Sequence, residues 1–199
     1  MVSLRRFSTL ASFASAAAFV GALTGVLAAC GSSTTYTPQV YIKASIGPGN
    51  TAATSSCGFA AGTDWLDIGT SDGVEYSPVP SGSNLGGATV NVDCRVTPSG
   101  DGFDVDITTS KTGEDTGGSL SISGHFTSSG VQSKITGTFG QQIKGTFTAA
   151  DCTVTYENQY MGVAAGRVWG VLDCPDANYA SQMRTCDAQA EFRFENCGQ

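Results

Sequence analysis

Apolar and polar residues alternate with a period of two along most of this chain, the spacing of strands that bury one face. Val40-Tyr41-Ile42-Lys43-Ala44-Ser45-Ile46 alternates until Gly47-Pro48-Gly49-Asn50 turns it, and shorter runs at 64–69, 88–96, 103–108, 167–172 and 191–194 repeat the theme. The clearest case is 121–147, where Ile-x-Gly-x-Phe occurs at 122–126, 135–139 and 143–147. Antiparallel pairing with Phe139 opposite Ile143 sets Gly137 opposite Gly145 and Ile135 opposite Phe147. With Phe126 opposite Ile135, Gly124 meets Gly137 and Ile122 meets Phe139, and Gly130-Val131 becomes a two-residue turn. The pattern predicts a three-stranded meander whose buried face is an Ile–Phe ladder around Gly124, Gly137 and Gly145, leaving room for rings from an opposite layer. Its other face is polar, with Ser123, His125, Thr136, Thr138, Lys144 and Thr146. Cross-strand packing is sufficient to explain the repeat without a ligand.

Roughly nine strands follow from the same signals, rich in glycine and almost free of helical periodicity. They predict an all-β antiparallel sandwich, with a partly closed barrel as the alternative. The exception is Pro175 followed by alanines, which predicts a short helical excursion over 176–184.

The first thirty residues break the alternation. A basic start with Arg5 and Arg6 leads into a small apolar run that ends at Leu27-Ala28-Ala29-Cys30. This is the layout of a secretory signal rather than of a membrane span. Leu-Ala-Ala-Cys resembles the lipobox of bacterial lipoproteins. The resemblance implies cleavage before Cys30 and acylation of Cys30, so that residues 1–29 form a signal peptide and 30–38 a lipidated polar tether. Residues 39–199 then form a single β domain, similar in layout to small cysteine-rich β lipoproteins. Gly31 after the cysteine, where some inner-membrane lipoproteins carry a retention aspartate, leans toward the outer membrane. The partner implied is the membrane, through the acyl chains.

Charge narrows the other partners. Two of the ten basic residues lie in the leader, so the mature chain carries eight against seventeen acidic residues, a net charge of −9. Without a basic stripe it has nothing with which to neutralise phosphates, which excludes nucleic acid. Cys30 set aside, six cysteines remain, and an even number in an exported chain predicts three disulfides. Spacing does not choose among the fifteen connectivities. The pairing taken here is Cys57–Cys94, Cys152–Cys197 and Cys174–Cys186, the last closing the excursion.

Candidate chemistry is sparse. Gly69-Thr70-Ser71-Asp72-Gly73 matches the nucleophile-elbow spacing, but Val74-Glu75-Tyr76-Ser77-Pro78 after it cannot form the required helix. The single histidine, His125, falls on an open sheet face with no carboxylate placed to orient it. Pairing Val96 with Phe103 would set Arg95 opposite Asp104 and Asp93 opposite Asp106, so that Asp93, Asp104 and Asp106 are the candidate ligands for calcium. Trp65 and Trp169, with Tyr156 and Tyr160, are the candidates for stacking on a sugar. The burial expected for Trp169 is beneath the excursion. The function expected is a non-catalytic, lipid-anchored envelope protein without a cofactor, whose protein or glycan partner the sequence does not name. The alternatives are a carbohydrate- or calcium-binding module and, furthest, a serine hydrolase.

Overall fold

The computed structural model describes residues 36–71, 76–113 and 117–199, so the leader, Cys30 and most of the tether lie outside the described residues. Fourteen strands run in chain order: β1 (Gln39–Gly47), β2 (Thr63–Ile68), β3 (Thr70–Ser71), β4 (Tyr76–Ser77), β5 (Val79–Pro80), β6 (Asn84–Leu85), β7 (Ala88–Ser99), β8 (Gly102–Thr112), β9 (Gly118–Thr127), β10 (Gln132–Gln141), β11 (Gly145–Thr155), β12 (Gly162–Ala164), β13 (Arg167–Tyr179) and β14 (Arg184–Glu195). Twelve belong to one sheet of order β2-β1-β14-β13-β11-β10-β9-β8-β7-β6, with β12 on β13 and β5 on β1, while β3 and β4 pair by themselves.

The strand pairing is antiparallel throughout this sheet, and the sheet curls until it is nearly closed into a barrel, the second of the two layouts expected. The segment after β4 draws its ends together. Gln39 and Val40 pair with Pro80 and Val79, Ser81 N donates to Pro38 O at 2.8 Å, and Gly82 N donates to Val90 O at 2.7 Å. Lys111 Nζ reaches across to Asp67 O at 3.2 Å. The inward positions are apolar and include Ile42, Val90, Ile107, Phe126, Phe139 and Phe194, all at most 1 % exposed. With Asp, Ser, Thr and Lys turned outward, the polarity is the reverse of a lipid-embedded barrel.

Face and register separate here. Ile122, Phe126, Ile135, Phe139 and Phe147 are all buried, as the ladder requires. Their partners differ. Phe139 lies opposite Phe147, Ile122 opposite Gly137, and Val96 opposite Val105. These three slips are even, so the side chains keep their faces, and at Ile135, which meets Cys152 instead of Phe147, bulges on both sides absorb the odd residue. The reason lies in the turns. Gln132, buried at 5 % exposure, accepts from Thr127 N at 2.8 Å and donates to Ser129 O and Gly130 O at 3.1 Å each. Four residues, 128–131, therefore connect β9 to β10 instead of two. Ile143 sits in the β10–β11 turn, 80 % exposed, and leaves the ladder.

The glycines admit neighbours other than rings of an opposite layer. A Cβ on Gly137 would stand 2.6 Å from Cys174 Sγ and 3.0 Å from Cys152 Sγ, so this glycine makes room for a disulfide. At Gly145, with φ +100°, the space is taken by the ring of Tyr179 from β13.

Three disulfides are present, and none has the pairing taken from the sequence: they are Cys57–Cys186, Cys94–Cys197 and Cys152–Cys174. The β11–β13 register that sets Thr153 opposite Asp173 and Val154 opposite Leu172 also sets Cys152 opposite Cys174. Cys186 faces Ala177 on the neighbouring strand and turns instead to the 3₁₀ turn Ala53–Ser56 and Cys57. The C-terminal tail passes back to β7, where Val96 N donates to Gly198 O at 2.8 Å and Gly198 N to Cys94 O at 2.9 Å, carrying Cys197 to Cys94. The helical excursion over 176–184 is absent. Strand β13 runs on through a bulge after Cys174 to Tyr179, and one 3₁₀ turn, Ala180–Gln182, leads into β14. Proline in a strand is tolerated at such a bulge, where no ladder hydrogen bond is demanded of it.

Candidate functional site

Two groups of polar side chains stand out on the outer face. The first is built around His125. Strands β8 and β9 set Asp104 directly opposite His125, and the β7–β8 turn brings Asp101 to the other side of the ring. Asp104 Oδ1 lies 2.9 Å from Nδ1 and Asp101 Oδ1 lies 3.1 Å from Nε2. The linear sequence places no carboxylate beside this histidine; the register and the tight turn supply two. The hydrogen bond to Asp104, then that to Asp101, raises the imidazole pKa above its ordinary 6.5, while the bond to His125 first of all lowers both carboxyls below 3.8. With a carboxylate oxygen against each nitrogen, neither ring nitrogen faces an open position from which to act as a general base.

The signs of these shifts define a window. The raised histidine contributes fully below about 6.5 and loses its contribution as pH rises through its folded-state pKa; the lowered carboxyls contribute above about 3.8 and lose theirs as pH falls. Because the chain contains one histidine, a proton NMR titration reads it without ambiguity. The expected midpoint lies above 6.5, and Asp104→Asn or Asp101→Asn each moves it down. A wild-type midpoint at or below 6.5 would show that the two carboxylates do not hold the ring.

The calcium candidates are not gathered. Asp93 faces Thr108, Asp106 faces Arg95 and Asp104 faces Thr97. The two like charges are thus not opposed, and the reason for placing a cation between them disappears. Among the described residues no group of three or more His, Cys, Asp or Glu side chains is placed to hold a metal ion. Of the nucleophile-elbow stretch, Asp72 and Gly73 lie outside the described residues. Ser71 ends β3, and its side chain hydrogen-bonds near Tyr41 and Tyr76 rather than His125.

The second group lies where β1, β14 and β13 run side by side. Register puts Tyr41 opposite Arg193 and Arg193 opposite Trp169, all on the outer face. Tyr76, from β4, lies across this row, with ring centroids 5.0 Å from both Tyr41 and Trp169 in edge-to-face geometry. Arg193 is fixed between them. Its guanidinium stacks 5.0 Å from the Trp169 ring, donates to Glu195 Oε1 through Nε at 3.0 Å and Nη2 at 2.7 Å, and reaches Tyr76 O through Nη1 at 3.0 Å. A hydrogen bond from the Tyr76 hydroxyl to Glu191, reinforced by burial, pushes that phenol up to about 12. Trp169 is buried, 7 % exposed, but beneath Tyr76 and Arg193 instead of the excursion expected.

Clefts open on both sides of Tyr76. One, of about 480 Å³, is bordered by Tyr41, Lys43, Asp67, Ser71 and Glu191. The other, of about 600 Å³, is lined by Tyr76, Gln159, Tyr160, Arg167, Trp169 and Arg193. The remaining stacking candidates part company. Trp65 lies in the core, edge-to-face with Phe59 and Phe147, and Tyr156 turns its hydroxyl to Thr127 O at 3.1 Å, its pKa pushed up to about 12 by burial. Only Trp169 and Tyr160 of the four share a cleft. Tyr76, Arg167 and Arg193 escaped the sequence reading because their proximity to Trp169 depends on strand order. Comparison with known proteins finds no matching family model, no matching curated protein and no matching solved structure.

Proposed function

We propose that this chain is a lipid-anchored protein of the bacterial cell envelope whose barrel acts as a non-catalytic binding module on the extracytoplasmic side of a membrane. The observation that carries the reading is that all six cysteines after Cys30 are joined in three disulfides within the domain, with none left as a thiol. Such pairing belongs to oxidising compartments. It agrees with the apolar leader that stops at Leu27-Ala28-Ala29-Cys30. The non-catalytic role is part of the proposal: among the described residues His125 is engaged by Asp101 and Asp104 and not by a serine.

Cys30→Ala tests the anchor in the full chain. The expected result is transfer of the protein from the membrane fraction to the soluble fraction with its melting temperature unchanged, because the core and the three disulfides are formed by residues 40–197. Retention of Cys30→Ala in the membrane fraction after a salt wash would overturn the reading.

A further inference from the structure

We infer that the cleft between Trp169, Tyr76 and Tyr160 binds a saccharide that carries a carboxylate. The inference deepens the reading of the domain as a binding module and rests on it, but does not depend on the anchor.

Three observations converge. Tyr160 is 66 % exposed at the rim of a concavity, where an aromatic ring offers its face to the apolar side of a sugar. Trp169, on the same wall, is more than nine-tenths buried, and its ring is held edge-to-face by Tyr76 and under the Arg193 guanidinium. A ring held in this way gives the cleft a rigid apolar wall against which a sugar face can pack. Finally, the two arginines of the cleft are not equivalent. Arg193 is occupied by Glu195 and Tyr76 O and serves as wall. Arg167 is exposed at the start of β13 and makes no salt bridge to any described residue.

Arg167, exposed and lining the same cleft as the open ring of Tyr160, offers its guanidinium to an anionic group of a ligand stacked there. The planar guanidinium matches a carboxylate with two parallel hydrogen bonds. Gln159 adds an amide donor and acceptor for hydroxyls. A volume of about 600 Å³ suits a ligand of one or two sugar rings. The fixed Arg193, held by bonds from Nε, Nη1 and Nη2, means that this wall is formed before the ligand arrives.

The test is calorimetric titration of the purified mature protein and of Cys30→Ala with digalacturonate, with the neutral galactose disaccharide and with inorganic phosphate. Digalacturonate should bind at least about tenfold more tightly than either of the others, the worth of a charge-assisted pair. Arg167→Gln should erase that preference and leave the neutral disaccharide unaffected, whereas Tyr160→Ala should weaken both sugars. Both residues are exposed, so melting temperatures of the variants check that the fold is retained. Equal binding of the acidic and neutral sugars, phosphate binding as tight as digalacturonate, an unchanged preference in Arg167→Gln, or no binding would each overturn the inference. Absence of sugar binding by a Cys30→Ala protein that has left the membrane removes the ligand and keeps the anchor; binding by a Cys30→Ala protein that stays in the membrane does the reverse.

Discussion

Replacing Cys57 and Cys186 together by alanine is expected to lower the melting temperature well below that of the Cys152→Ala/Cys174→Ala variant, and by about as much as removal of Cys94–Cys197. The bridge joins residues 129 apart in sequence, against 103 for Cys94–Cys197 and 22 for Cys152–Cys174. On the chain-entropy argument the first two each stabilise by nearly 5 kcal/mol and the last by about 3 kcal/mol. For a domain of this length each kcal/mol moves the midpoint about 2–4 °C, so Cys57→Ala/Cys186→Ala should fall by about 10–20 °C. Cys152→Ala/Cys174→Ala should fall by about 6–12 °C. Differential scanning calorimetry of the three paired variants decides the matter. Equal losses would mean that packing around the buried sulfurs, and not restriction of the unfolded chain, is what the bridges supply. Cys57–Cys186 also fixes the loop that carries Phe59 against the core, so its removal should expose that loop first to protease.

Phe147→Ala is the second large effect. Phe147 is fully buried, and its ring lies 5.8 Å from Phe59, 5.6 Å from Trp65 and 5.4 Å from Tyr179. It thereby joins β11 to β2, to β13 and to the loop after the first 3₁₀ turn. Truncating a phenylalanine in such a place costs about 3–5 kcal/mol, because the surrounding rings cannot close the cavity. The midpoint should drop by about 6–20 °C. Ile143→Ala, at the other end of the same Ile-x-Gly-x-Phe unit, should change stability by no more than about 0.5 kcal/mol, since Ile143 stands in water at a turn. Comparable losses from the two substitutions would return Ile143 to the core, where the repeat by itself had put it.

The candidate site was legible only in pieces. As aromatic residues able to stack, Trp169 and Tyr160 stand out in the sequence, and these two share a cleft. Trp65, chosen on the same grounds, is locked among Phe59 and Phe147. Nothing local to Arg193 reveals that it bonds Glu195 two positions along the same strand face while stacking on Trp169 of the next strand. The Asp101–His125–Asp104 cluster shows the same dependence. His125 and Asp104 are 21 residues apart, and their contact depends on β8 lying beside β9, a pairing that neither segment specifies by itself.

What the chain determines by itself is which way each side chain points. The period of two places Ile122, Phe126, Ile135, Phe139 and Phe147 inside and His125, Thr136 and Thr138 outside, and these faces survive because the slips are even or are absorbed by the bulges beside Ile135, while Ile143 alone of the repeat is lost to a turn. The apolar pattern is insensitive to such slips, because an Ile–Phe ladder buries the same surface when displaced by two. Tertiary structure alone decided the rest. The Gln132 side chain lengthened one turn, the β11–β13 register brought Cys152 to Cys174, and the return of the tail to β7 brought Cys197 to Cys94. Pairing between residues more than a hundred positions apart depends on which strands become neighbours as the sheet curls, and that choice is made by the summed burial of the whole core instead of by any segment within it.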